Sequence, residues 1–238
     1  QFVGLDNYFK IWQDNTFVHA FVFTTAFTIV STVLINVLGF TLALLLTRHV
    51  RGTNIFRTVY FMPNLIGGVV LGYIWQTLLN GLLTVLEKPL ITLNATYGFW
   101  GIVILMCWQQ IGYMMIIYIA GLQNVPTDLI EAARIDGATS RQVLTRVKIP
   151  MVMPSITICT FLTLTNSFKL FDQNLSLTGG EPAKASQMLA LNIYDTFYAR
   201  SGAQWKGIGQ AKAVVFFLAV VVIALIQLRL TRSKEVQQ

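Results

Sequence analysis

The chain has 238 residues, of which 55% are hydrophobic and only 11% charged, with a net charge of +7 and a mean hydropathy of +0.62. A soluble domain carries roughly a quarter charged residues to cover its surface, so a soluble globule is excluded and an all-α membrane protein is expected. The cations sit at the ends of apolar runs and form no single patch, which argues against nucleic acid as a partner. Cys107 and Cys159 both fall inside apolar runs, which argues against a disulfide framework or a metal site.

Residues 1–19 mix Tyr8, Phe9, Trp12 and Phe17 with Asp6, Lys10 and Asp14, a composition suited to the membrane–water boundary. The first spanning run, 20–46, is uncharged and exceeds the roughly 20 residues that a crossing helix needs. Basic residues close it. The second, 59–80, holds Pro63 and a Gly67, Gly68, Gly72 track that permits close helix approach in lipid. The third, 99–122, carries Trp108, Gln109, Gln110 and Tyr113 in its middle. A polar stretch, 123–150, follows. The fourth run, 151–175, turns polar in its second half, with Asn166, Ser167, Lys169 and Asp172. A long connection, 176–206, leads to the fifth run, 211–230.

The bias of Lys and Arg toward cytoplasmic loops sets the orientation. Arg48, Arg51, Arg57, Arg134, Arg141, Arg146, Lys148, Arg229, Arg232 and Lys234 mark the cytoplasmic side. Lys10, Lys88, Lys184, Arg200, Lys206 and Lys212 mark the other. Five spans place Gln1 outside, and a sixth, N-terminal span ahead of it is expected.

Polar groups inside a membrane are costly and face a bundle interior or a wet cavity. Trp108, Gln109, Gln110 and Tyr113 in the third span offer amides, a phenol and ring faces. In the fourth, Lys169 and Asp172 lie near the outer end, where they can snorkel to water, while further in Asn166 adds an amide and Thr157, Thr160, Thr163 and Ser167 add hydroxyls along one helix face. These residues suit a neutral, hydroxylated solute, whose water hydrogen bonds amides and hydroxyls replace and whose C–H faces stack on aromatics. The competing reading has Thr157, Thr160, Thr163 and Ser167 bonding back to their own helix, and the glutamines joining helices. Lys169 and Asp172 are spaced for an i,i+3 ion pair.

In the polar stretch, Pro126-Thr127-Asp128 reads as a helix start, and Asp128 with Glu131 as a capping box. Gly137 breaks that helix, Thr139 or Ser140 caps a second one, and Pro150 stops it. The result is a two-helix cytoplasmic lever or, alternatively, an interfacial helix lying on headgroups.

Glu131-Ala132-Ala133, Ile135-Asp136-Gly137-Ala138 and Pro150 together resemble the signature loop of binding-protein-dependent ABC importer permeases. Phe2-Val3-Gly4-Leu5-Asp6-Asn7-Tyr8, Phe168-Lys169-Leu170-Phe171-Asp172-Gln173 and Leu177-Thr178-Gly179-Gly180-Glu181-Pro182 resemble the carbohydrate permeases of the maltose and glycerol-3-phosphate type, on the lineage of the larger maltose subunit. The resemblance implies a type I importer bundle in a prokaryotic inner membrane. Its partners are a second related permease, a cytoplasmic ATPase dimer, an external solute-binding protein, a sugar and membrane lipid. It also implies that Glu131, Ala132, Ala133, Asp136, Gly137, Ala138 and Pro150 couple to the ATPase. Trp108, Gln109, Gln110, Tyr113, Asn166, Ser167 and Lys169 match the sugar-contacting segments by position. The sequence holds no Gly-x-x-x-x-Gly-Lys-[Ser/Thr] motif. The chain is therefore expected to be a non-enzymatic transport subunit without a cofactor of its own, with ATP and Mg on the ATPase. A permease for another solute, such as glycerol phosphate or a polyamine, is the alternative within the family. A secondary transporter is disfavoured because no carboxylate lies at the middle of a span.

Overall fold

The computed structural model describes residues 3–47 and 52–232, with side chains through Arg229. Arg48, Arg51 and Lys234, and the side chain of Arg232, lie outside the described residues. In chain order the helices are α1 (Asp6–Gln13), α2 (Asn15–Leu46), α3 (Thr53–Phe61), α4 (Gly68–Val85), α5 (Ala95–Gln123) and α6 (Thr127–Ile135). They continue with α7 (Ser140–Val143), α8 (Ile149–Met151), α9 (Met153–Phe168), α10 (Asp172–Leu177), α11 (Leu189–Tyr194) and α12 (Ala203–Arg232). Helices α2, α4, α5 and α12 are long and apolar enough to cross a membrane, and the bent stretch Ser140–Met151 plus Met153–Phe168 gives a fifth.

The second run, expected unbroken over 59–80, is divided. α3 ends at Phe61, a tight 3-10 turn covers Met62–Leu65, and α4 begins at Gly68. Pro63 lies in that turn, where it lacks the N–H a continuing helix needs. The fourth run, expected over 151–175, is also divided, because α9 stops at Phe168 and α10 starts at Asp172. Lys169 and Asp172 are both exposed and do not pair with each other, since the single helix that would have aligned them is interrupted between them.

The chain divides into two compact units. The first consists of Gln1–Ser31, Ile66–Met106 and Thr165–Ile223, the second of Thr32–Leu65, Cys107–Leu164 and Ala224–Gln238. Every described cation assigned to the cytoplasmic side belongs to the second unit, and every one assigned outside belongs to the first.

In the first unit, Ile11, Phe17, Ala20, Phe168, Leu189, Ile208 and Ala211 form a buried core. The glycine track has a packing reason here: a Cβ on Gly72 would lie 1.8 Å from the Ser176 hydroxyl, and one on Gly68 would lie 2.8 Å from Asp172 Cβ. α10 therefore packs directly on the backbone of α4. In the second unit, Asn36 on α2 donates to Thr163 Oγ1 on α9 at 2.8 Å and accepts from the Tyr118 hydroxyl on α5. Cys107 and Cys159 are buried free thiols.

Candidate functional site

The polar stretch folds into two short helices joined by a rigid elbow. Pro126 occupies the N-cap of α6, and no side chain caps the helix there, so the expected Asp128–Glu131 box is absent. Proline at the N-cap has no side-chain oxygen to accept from the free N–H groups of the first turn. The box instead forms at the second helix: Thr139 Oγ1 accepts from Gln142 N–H at 3.3 Å, while Gln142 Oε1 accepts from Thr139 N–H at 2.7 Å.

Between the two helices, α6 closes in a Schellman turn. Gly137 N–H donates to Arg134 O at 3.0 Å and Ala138 N–H donates to Ala133 O at 2.9 Å. Gly137 has φ +81°, a left-handed value that glycine adopts without penalty. Asp136, Gly137 and Ala138 thus make the elbow itself. Pro150 lies in α8, and Val152 interrupts the helix beyond it, where the direction bends by 69°. Pro154 explains the break, since it cannot donate to the carbonyl of Pro150 and its ring clashes there.

The arm leaves apolar surface uncovered. Ile135 is 86% exposed and Leu129 is 45% exposed. Glu131, Ala132 and Asp136 are exposed beside them, with Ala133 half-buried. The opposite side of α6 behaves differently: Thr127, Ile130 and Arg134 line a cavity of about 560 Å³ with the ends of α2 and α5 and the start of α7.

The predicted solute-path residues fall in both units, four in the second and three in the first. On α5, Gln109 is buried, Trp108 is largely exposed, and Gln110 and Tyr113 are half-buried. The Gln110 Oε1 atom is itself buried and accepts no hydrogen bond among the described residues. A Cβ on the neighbouring Gly112 would lie 1.8 Å from Tyr60 O, so α5 runs tight against the backbone of α3 at this level. Tyr113 rests beside Phe61 at 6.3 Å between ring centroids. In the first unit the Ser167 hydroxyl is buried without a partner among the described residues, Asn166 is half-buried and Lys169 exposed. Thr157 and Thr163 bond back to Met153 O at 3.1 Å and Cys159 O at 2.8 Å. Those two threonines follow the structural reading, while Gln110 and Ser167 keep unused hydrogen-bonding capacity.

One cluster went unnoticed in the sequence. Lys212 is fully buried in α12, and its ammonium donates to Asp14 Oδ2 at 2.8 Å, Asn192 Oδ1 at 2.8 Å and Thr196 Oγ1 at 2.9 Å. Burial opposes ionisation of Asp14, but hydrogen bonds from Lys212 and Thr16 and the Lys212 charge outweigh it, holding the carboxyl below its ordinary pKa. A lysine near the end of an apolar run reads as a snorkelling charge, and only its distant partners reveal otherwise.

A family model described as the binding-protein-dependent transport system inner membrane component matches residues 35–235. A probable starch degradation products transport system permease protein, AmyD of Thermoanaerobacterium thermosulfurigenes, is 45% identical over 99% of this chain and 82% of its own length. The trehalose transport system permease protein SugA of Mycobacterium tuberculosis is 34% identical, over 96% of this chain and 75% of its own. Among solved structures, a bacterial ABC transporter involved in the import of the acidic polysaccharide alginate superposes with a TM-score of 0.85 at 20% identity, covering 98% of this chain and 84% of that one.

Proposed function

The chain belongs to the binding-protein-dependent transport inner membrane components, and on that premise we propose that it is one permease subunit of an ATP-driven importer of a sugar or oligosaccharide. It pairs with a second permease, receives solute from an external binding protein and draws its power from an ATPase dimer that carries ATP and Mg. The exposed apolar face of α6 carries this reading. An arm between two spans that shows Ile135 and Leu129 to water, on a rigid elbow, suits insertion into a cleft of another protein. The capped geometry lets α6 transmit displacement to α9 through α7 and α8 without folding up.

Sugar is the favoured solute because Gln110 and Ser167 keep buried polar atoms without protein partners, and Trp108 offers a ring face. The printed names of the relatives, starch degradation products and trehalose, point the same way. Glycerol phosphate and polyamines are the alternatives. Lys169 is the only cation among the seven path residues and is exposed, which gives a phosphorylated solute little to bind.

The test is uptake by the reconstituted complex. Glu131→Lys is expected to abolish transport-coupled ATP turnover while membrane insertion is unchanged; coupling at the wild-type level would remove α6 from the docking role. For the path, Trp108→Ala is expected to lower sugar uptake, and unchanged uptake would strike Trp108 from it.

A further inference from the structure

We propose that the cavity behind α6 binds a phosphate-bearing anion, and that the anion is the headgroup of an acidic phospholipid of the cytoplasmic leaflet. The cavity, about 560 Å³, lies wholly within the second unit. Arg134 and Lys148 both line it, and no carboxylate does. Among the described residues neither cation takes part in an ion pair. Gln123 and Ser140 add an amide and a hydroxyl to the same wall.

A concavity holding two uncompensated cations and neutral donors favours a compact anion with several acceptor oxygens. Phosphate meets that description: a guanidinium grips two of its oxygens in a planar fork, and an ammonium adds a point charge. A carboxylate offers only two oxygens and matches the set less well.

The rest of the wall identifies the source. Leu44 and Leu122 belong to the last turns of α2 and α5, two of the helices long and apolar enough to cross a membrane. The cavity therefore sits where a span meets the headgroup layer, with aliphatic surface beside its charges. Both cations belong to the group that the charge bias assigns to the cytoplasmic side, where acidic lipids give the membrane surface its negative potential. A soluble phosphate would use the charges and leave the leucines without a role.

Such a headgroup would brace the back of α6 through Arg134 while the Leu129–Ile135 surface stays free for a partner. Coupling would then depend on the acidic lipid content of the membrane.

The experiment uses the complete transporter, ATPase included, purified in a neutral detergent and exposed to short-chain phosphatidylglycerol. Retained lipid is counted by native mass spectrometry. Phosphatidylglycerol is expected to stay bound and phosphatidylcholine is not. Arg134→Gln with Lys148→Gln should weaken retention by about tenfold or more. Arg141→Gln with Arg146→Gln removes equal charge from exposed positions of the same arm and should leave retention unchanged. Should the first double variant fail to assemble, Lys148→Gln alone carries the test, with a smaller loss expected. Equal losses in the two double variants would mean diffuse surface attraction and overturn the site. Equal binding of phosphatidylcholine would overturn its charge selectivity. Binding of inorganic phosphate without retention of phosphatidylglycerol would overturn the lipid as its source. Retention by the permease pair alone, with none by the complete transporter, would show the cavity to be a protein contact and overturn the lipid site.

Discussion

The connection between α10 and α12 and the arm between α5 and α9 are both long, polar and flanked by spans, yet they are finished in opposite ways. The connection between α10 and α12 is closed by its own hydrogen bonds. Asn174 Nδ2 donates to Thr178 Oγ1 at 2.9 Å and Ser186 O at 2.8 Å, and Asn174 Oδ1 accepts from Met188 N–H at 2.9 Å. Asn192 reaches Gln187 at 2.9 Å and Thr16 at 3.2 Å, and Lys212 ties it to Asp14. The arm between α5 and α9 spends its hydrogen bonds on its own two caps and leaves α6 exposed. A loop whose polar groups are satisfied internally resists change. A loop that satisfies only its helix ends keeps its shape and offers its faces to something else.

The contrast breaks first at Lys212. Lys212→Met leaves Asp14 without its main partner, and removing one member of a buried ion pair costs about 3 to 5 kcal/mol. A large fall in thermal stability is expected for the purified protein, with part of it recovered by adding Asp14→Asn. No change in melting would show that the α10–α12 connection does not depend on this cluster. The same pair sets a pH limit. Because the Asp14 pKa is depressed in the folded chain, its contribution is fully present above about pH 4 and is lost as pH falls through the folded value. Melting curves of Asp14→Asn should therefore lack that acid-side decline.

Asn174→Ala comes next. It strands Met188 N–H and Ser186 O in a buried site, at about 1 to 3 kcal/mol. The expected outcome is lower melting with the ratio of transport to ATP turnover unchanged. Gly137→Ala puts a side chain on a left-handed residue, at about 1 to 2 kcal/mol. Here the larger effect should appear in coupling, because the elbow angle changes. Ile135→Ser is the mildest in stability, within about 0.5 kcal/mol for an exposed position. Uptake should nonetheless drop several-fold. Equal losses of stability and coupling across all four would erase the distinction between the two regions.

Much of this arrangement was legible in the chain because lipid imposes simple rules. The apolar runs, the split of Lys and Arg into two groups and the Gly137 elbow each follow from one local property. The divisions at Met62–Leu65 and after Phe168 were not legible, since a broken apolar run and a continuous one have the same hydropathy. Asn36 escaped notice because a lone amide in a 32-residue apolar helix gives no hint of its Tyr118 and Thr163 partners. Lys212 escaped for the same reason. Of the candidate site, the arm was readable from caps and glycine, although the box sits at Thr139 and not at Asp128. On the path, Gln110 and Ser167 stand out only through burial without partners, which no sequence pattern reports.

The reach of the Lys212–Asp14 contact has a meaning for how the protein is made. The two residues lie 198 positions apart. Asp14 lies just ahead of α2, the first of the described helices long enough to cross the membrane, and Lys212 lies in α12, the last of them. Until α12 is made, the carboxylate has the Arg200 guanidinium at 3.7 Å but lacks the closer Lys212 ammonium at 2.8 Å. Closure of the pair ties the segment ahead of α2 to α12, so quality-control machinery that inspects membrane proteins for stray charge would find in this one bond a difference between a permease that has packed α12 and one that has not.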